Sequence, residues 1–235
     1  MLHFPPAKIV YHSSKGTFTL RPLCIEDTPA IFMARKLSES SLKRFMSFAH
    51  MPSSLLIQHE WVAQKISHFH LLQEDLVLGL FDSHQHFIGL GGWNKTNTLN
   101  ADCYEISYWV SKPYQRKGNG FLIAQLLIYG AFEWLQATRV QVTAHVSNKE
   151  SLRIIEKCGF HYEGLLRNYL SPPTQEMLAN GMEPGCDAMI YALLPSDLQM
   201  LAWYKEIALH TAITPLYQEL EHPHPTSHSR ALSTL

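Results

Sequence analysis

A chain of 235 residues, 46% of them hydrophobic, can bury one substantial core and falls within the size range of a single large domain. Nineteen basic residues against twenty acidic ones leave a formal net charge of -1, so no long-range field draws the chain to nucleic acid or to a membrane surface. Four scattered cysteines, Cys24, Cys103, Cys158 and Cys186, form neither a CxxC pair nor a dense disulfide framework, and no run of about eighteen apolar residues or basic leader is present; both point to a soluble, cytoplasmic protein with free thiols and no membrane partner.

In chain order, "FTLRPL" alternates and predicts a strand, and "CIEDTPAIFMARKL" places Glu26 and Asp27 at the start of a helical pattern. A second helix is expected over residues 55–72. The apolar runs "DLVLGLF" and "FIGLGGW", joined by the polar turn "DSHQH", read as a hairpin; "CYEISYWV" then extends it to an antiparallel meander. Residues 120–135 are dense enough in apolar side chains for a largely buried helix, although Gly130 inside it costs about 1 kcal/mol relative to alanine. "RVQVTAHV" predicts a strand, "NKESLRIIEKCGF" a helix closed by Gly159, and "DAMIYALL" a last strand, with residues 170–186 a proline- and glycine-rich surface loop. A helical segment over 201–220, broken at Pro215, and a polar tail over 221–235 follow. His222, His224 and His228 in that tail read as inert, so no metal site is expected.

The stretch "YQRKGNG", residues 114–120, sits where a strand passes into a helix. Gly118 and Gly120 let several backbone N–H groups converge, the helix start adds its positive dipole end, and Arg116 and Lys117 add charge: together a place for a phosphate. The plainer alternative is a strand-to-helix turn with a solvated basic pair. A P-loop fails because Phe121 and Leu122 follow Gly120, and a dinucleotide fingerprint fails because Ile123 is large and the preceding strands are antiparallel.

What remains, Gln115-x-x-Gly118-x-Gly120, resembles the pyrophosphate loop of the GNAT superfamily of acyl-CoA N-acyltransferases. "LRPLCIEDTPAIF", "EISYWVSKPYQRKGNG", "AFEWLQATRVQV" and "VSNKESLRIIEKCGFHYEGLLRNY" extend the resemblance over roughly residues 17–195. It is most similar to the RimJ/RimL branch, which acetylates N-terminal amines of ribosomal proteins. The resemblance implies an α/β domain over 1–200 with a mixed, largely antiparallel sheet flanked by helices and splayed between its fourth and fifth strands. It implies acetyl-CoA as co-substrate, with Gln115, Arg116, Lys117, Gly118, Asn119 and Gly120 around the pyrophosphate. Tyr108, Trp109 and Val110 would lie along the pantetheine, and Asn148 and Ser151 match the family's Asn-x-x-Ser near that arm. As plain residues, Asn148 is a good helix cap and Ser151 an early helix position.

Attack by an amine calls for a base and, as the thiolate leaves, an acid. Where many superfamily members carry an acid tyrosine before Glu-Lys-x-Gly-Phe, this chain has Ile155, and the strand before Asn148 offers Thr143, Ala144 and His145. Glu105 is the best-placed carboxylate for a base, His145 an alternative, and Tyr169 a candidate acid or acceptor-site residue; Cys158 reads as core. The expected function is acetyl transfer to a primary amine, foremost a protein or peptide N-terminus such as that of a ribosomal protein. A small-molecule amine (amino acid, polyamine or aminoglycoside) and a non-catalytic acyl-CoA-binding module are the alternatives. A monomer or homodimer is expected.

Overall fold

The computed structural model describes residues 5–72, 75–96 and 102–215. Among the described residues nine strands form one sheet: β1 (Pro6–Ser13), β2 (Gly16–Pro22), β3 (Asp75–Phe81), β4 (Phe87–Lys95), β5 (Cys103–Val110), β6 (Arg139–His145), β7 (His161–Leu166), β8 (Ala188–Leu193) and β9 (Thr211–Pro215). The helices are α1 (Thr28–Leu37), α2 (Glu39–Leu42), α3 (Leu55–His70), α4 (Asn119–Glu133), α5 (Lys149–Cys158), α6 (Gln175–Ala179) and α7 (Ala202–His210). The strand order is β7-β8-β6-β5-β4-β3-β2-β1-β9, and every neighbouring pair is antiparallel except β5 with β6. No helix among the described residues is long and apolar enough to cross a membrane.

The period-two pattern of the strands divides the core between the two faces. In β3, Leu76, Leu78 and Leu80 join the larger core with α4, whereas Val77 and Phe81 face the smaller one with Ile31 of α1 and Val62 of α3. Helix α4 is apolar nearly all round because it is buried nearly all round; Ile123, Leu126, Leu127 and Ile128 are fully enclosed. Gly130 fits the close approach: a Cβ there would lie 2.8 Å from Cζ2 of Trp93 and 2.9 Å from Cδ1 of Ile9. The same Trp93 donates its indole N–H to the Leu127 carbonyl at 2.8 Å, locking β4 to α4. On the other face, Arg21 donates twice to the carboxylate of Asp27, at 2.8 and 2.9 Å, and Cys24 N–H adds a third bond at 2.8 Å, fixing the entry to α1.

The expected meander is β3-β4-β5, and the expected helices at 55, 120 and 149 are α3, α4 and α5, the last closed by Gly159 at φ 86°. Three strands depart from the sequence expectation. β1 precedes the first expected strand, so the splay between the fourth and fifth expected strands falls here between β5 and β6. "HYEGLL", which is not among the expected strands, is β7. The expected helix over 201–220 ends at His210; Thr211–Pro215 is β9, in which β-branched Thr211 and Ile213 alternate with Ala212 and Thr214 against the open edge of β1. Tyr204 of α7 donates its hydroxyl to Glu133 of α4 at 2.8 Å, holding this extension on the domain. The polar tail and its histidines lie outside the described residues.

Candidate active site

The parallel pairing of β5 with β6 covers only Cys103 to Glu105 against Arg139 to Gln141. Beyond it β5 continues to Val110 paired with β4 alone, and β6 continues to His145 paired with β8 alone, so a wedge opens between them. The chain leaves β5, makes a short helical turn over Lys112–Tyr114, and enters α4 at the open end of that wedge. Two positive φ angles shape the entry, Arg116 at 59° and Gly118 at 89°. The first helical hydrogen bond there runs from Leu122 N–H to the Gly118 carbonyl at 3.0 Å, leaving the earlier N–H groups without helical acceptors. Arg116 and Lys117 are exposed and make no ion pair among the described residues.

Gln115 and Asn119 are structural here as well as adjacent to the loop. The Gln115 amide reaches back to the Val110 carbonyl at 2.9 Å and to Ser41 Oγ at 3.4 Å, while buried Asn119 donates to the Tyr114 carbonyl at 2.9 Å. Ser38, fully buried between α1 and α2, accepts from Lys112 N–H at 2.9 Å. Sequence reading missed this support, since "SESS" carries no signal beyond that of a helix boundary.

Two enclosed hydroxyls flank the wedge without a hydrogen-bond partner, Tyr108 from β5 and Thr143 from β6. Tyr108 points to the α4 and α5 side; burial pushes its phenol well above the ordinary tyrosine range, and Ser151 of α5 opposes this in part, near enough to favour the phenolate though not in hydrogen-bond geometry. Asn148 caps α5, accepting from Ser151 N–H at 3.2 Å. Cys158 is fully buried in the core, and burial pushes its thiol up to about 12, which makes it a poor nucleophile.

The candidate bases differ in freedom. Ser147 N–H donates to Nδ1 of buried His145 at 3.1 Å, so the ring proton sits on Nε2 and is directed at the Gly185 carbonyl at 3.3 Å. Both nitrogens of His145 are therefore engaged, and Phe45 packs beside the ring. Glu105 is half-buried on the opposite side of the wedge, with Oε2 accepting from Gln141 Nε2 at 3.0 Å. Tyr169 is 55% exposed in the chain after β7.

The sequence model of the Acetyltransferase (GNAT) domain matches residues 17–161. The chain belongs to the GNAT acetyltransferase family. Over 93 residues it is 37% identical to the Bacillus subtilis (strain 168) protein named "Putative ribosomal N-acetyltransferase YdaF", a match covering 40% of this chain and 46% of that relative. Among solved structures, Mycobacterium smegmatis RimJ in complex with a CoA disulfide is similar with a TM-score of 0.71, at 18% identity over 88% of this chain and 98% of that one. RimL, a ribosomal L7/L12 α-N-protein acetyltransferase in complex with coenzyme A, gives 0.67 at 18% identity over 79% and 97%. At that identity the two structures carry likeness of fold.

The GNAT co-substrate is acetyl-CoA, and the residues present fit it. The unpaired edge of β5 offers a strand's worth of backbone, the α4 entry offers amides and a dipole for a diphosphate, and nothing lies within 4 Å of where a Cβ of Gly118 would be. The two orphaned hydroxyls are enclosed within the strands on either side.

On the opposite face of the sheet this GNAT domain has a cavity of about 500 Å³. Its floor is Val77, Gly92 and Ser107, cross-strand neighbours on β3, β4 and β5; its walls are Ile31 and Trp61 of α1 and α3, with Trp109 at one end and Asp75 and Asn94 at the other. Phe48 and Met51 stand at the mouth, where the Arg35 guanidinium donates to both of their carbonyls at 2.7 and 3.0 Å. Glu176 of α6 pairs with Lys43 at 2.7 Å and His50 at 2.9 Å, and Arg44 donates to the Gly181 carbonyl at 2.9 Å. Those contacts join the 170–186 segment to the connection between α1 and α3, which carries Phe48 and Met51 at the cavity mouth. Sequence periodicity could not show the cavity, because it depends on the crossing of α1 and α3 over the sheet.

Proposed function

We propose that this chain transfers the acetyl group of acetyl-CoA to the α-amine of a protein or peptide N-terminus, in the cytoplasm. The observation that carries the reading is the wedge between β5 and β6, which meets a helix N-terminus on one side and a cavity on the other. The B. subtilis relative's name, "Putative ribosomal N-acetyltransferase", and that of RimL, a ribosomal L7/L12 α-N-protein acetyltransferase, support a ribosomal-protein N-terminus as the acceptor class.

Bound acetyl-CoA supplies the thioester. The amides of residues 116–120 hold its diphosphate, that of Gln115 being donated to the Lys112 carbonyl at 3.3 Å, with Arg116 and Lys117 screening the charge from the rim. The edge formed by Tyr108, Trp109 and Val110 orients the pantetheine, although the Val110 carbonyl is already shared with Gln115. Asn148 and Ser151 line the facing helix start. Glu105 takes the amine proton on its second carboxylate oxygen, directly or through one water; it lies two residues, about 7 Å of strand, from Ser107 at the cavity floor. Tyr108 replaces the acid that Ile155 cannot supply: its raised pKa keeps the phenol protonated, and its unpartnered O–H is free to donate to the leaving sulfur. His145, with both nitrogens engaged, orients the loop after β6, and Tyr169 borders the acceptor entrance.

A small-molecule amine is the second reading, favoured by a cavity large enough to enclose one whole. Thiol release and mass spectrometry on a peptide with a free N-terminus and one internal lysine test the proposal. An α-amine of pKa about 8 is roughly a tenth neutral at pH 7, against about one in a few thousand for lysine. Modification mainly at lysine would overturn the preference, and modification at neither would favour the small amine.

A further inference from the structure

The cavity shares a wall with the wedge, because Ser107 and Trp109 belong to the part of β5 that has left β6. An amine brought to the wedge from this face therefore carries its nearest substituent into the cavity. We infer that the accepted amine bears a bulky apolar, preferably aromatic, side chain on the carbon next to the nitrogen, and that the cavity holds it. The inference rests on the acetyl transfer proposed above and specifies which N-termini serve.

Three features of the cavity select that chemistry. Its volume of about 500 Å³ is within the range of sites that enclose a whole organic group. Alanine or serine would leave most of it unfilled and forfeit the dispersion contacts offered by Trp61, Trp109 and Ile31. Its charged groups are already committed: Lys65 is paired with Asp75, which also binds His68, and Arg35 is spent on the Phe48 and Met51 carbonyls. A charged side chain would lose its water without gaining a counter-ion, and a basic one would also face Arg35 and Lys65. Exposed Met51 marks the mouth through which the rest of a peptide would leave. The same apolar walls disfavour the ammonium form, which lowers the pKa of the bound amine and eases the task of Glu105.

Calorimetry with acetyl-CoA and thiol release with a mixed peptide pool first establish transfer itself. Peptides identical after their first residue, beginning with Phe, Trp, Leu, Ala, Ser, Lys or Asp, then read the inference. The expected result is a kcat/KM for Phe, Trp and Leu at least about tenfold above Ala and Ser, with Lys and Asp lowest. Binding of the same peptides to the CoA-loaded protein, followed by calorimetry, should show the same order without any turnover. Val77→Phe, which fills the floor, should lower the Phe peptide at least about tenfold, while leaving acetyl-CoA affinity within about twofold and the Ala peptide unharmed. Equal or better use of Ala and Ser by the unaltered protein would overturn the inference and leave acetyl transfer standing. If acetyl-CoA binds but no peptide is acetylated, the N-terminal reading fails instead; phenylalaninamide binding no tighter than alaninamide would then overturn the inference too.

Discussion

Removing the hydroxyl of Tyr108 should stabilise the protein and cripple it at once. The oxygen is enclosed without a hydrogen-bond partner, and an unsatisfied buried hydroxyl costs about 1–3 kcal/mol. Ser151 recovers part of that, so Tyr108→Phe is expected to gain about 1 kcal/mol, equivalent to about 2–4 °C in Tm for a domain of this size. The ring, which packs against the larger core, is unchanged. Loss of the acid should lower kcat by about a hundredfold or more, with acetyl-CoA affinity altered less than about threefold. Since burial holds the phenol protonated beyond the ordinary tyrosine range, the wild-type kcat should show no loss of this acid below about pH 10. Thermal and urea unfolding give the stability, thiol release the turnover, and calorimetry the affinity. Wild-type turnover in the variant would remove Tyr108 from the mechanism, and a stability loss above about 1 kcal/mol would show that the hydroxyl is satisfied in solution.

Gly120→Glu is expected to abolish acetyl-CoA binding with the fold intact: its Cβ would meet the movable Cδ1 of Ile154 at 2.9 Å and Cγ2 of Val110 at an ordinary 3.7 Å, but its carboxylate would enter the anion site; unchanged affinity by calorimetry in a folded variant would contradict this. Glu105→Gln should lower turnover about a hundredfold with little change in affinity, because the Gln141 contact can be kept; a pH–rate profile equal to wild type would make Glu105 structural. Arg21→Met strands Asp27 in a buried site and should cost about 3 kcal/mol, measured by urea unfolding at pH 7. Burial alone would raise the Asp27 pKa, but hydrogen bonds from Arg21 and Cys24 and the Arg21 charge together hold it below the ordinary value. Its stabilisation is thus present above about pH 4 and lost as pH falls through the lowered pKa, and the variant should lack that acid-side decline.

The strands with clean alternation, and the helices with a cap or a closing glycine, were legible because local chemistry and tertiary packing agree there. Gly159 ends α5 in the left-handed region where the sequence put the stop. β1 was obscured by Pro5 and Pro6 and by exposed His12, and it becomes a strand through pairing with β2 and β9. β9 was hidden because "ALHTAITPL" suits either period until a partner edge is present. At the site, the glycines of the loop announced themselves, whereas the engagement of His145 depends on Gly185, forty residues away, and the orphaned state of Tyr108 on the distance between two strands. No spacing in a single sequence encodes either.

The pairing of β1 with β9 ties residues 6–11 to residues 211–215. On a ribosome adding about 5–20 residues per second, β1 emerges roughly 10–40 s before the strand that will cover its outer edge. During that interval the nascent sheet can grow from β2 through β8 while one border stays open to any passing extended segment. β9 thus acts as a seal applied late, and a chain cut short before Thr211 would carry a complete wedge and cavity beside an adhesive edge.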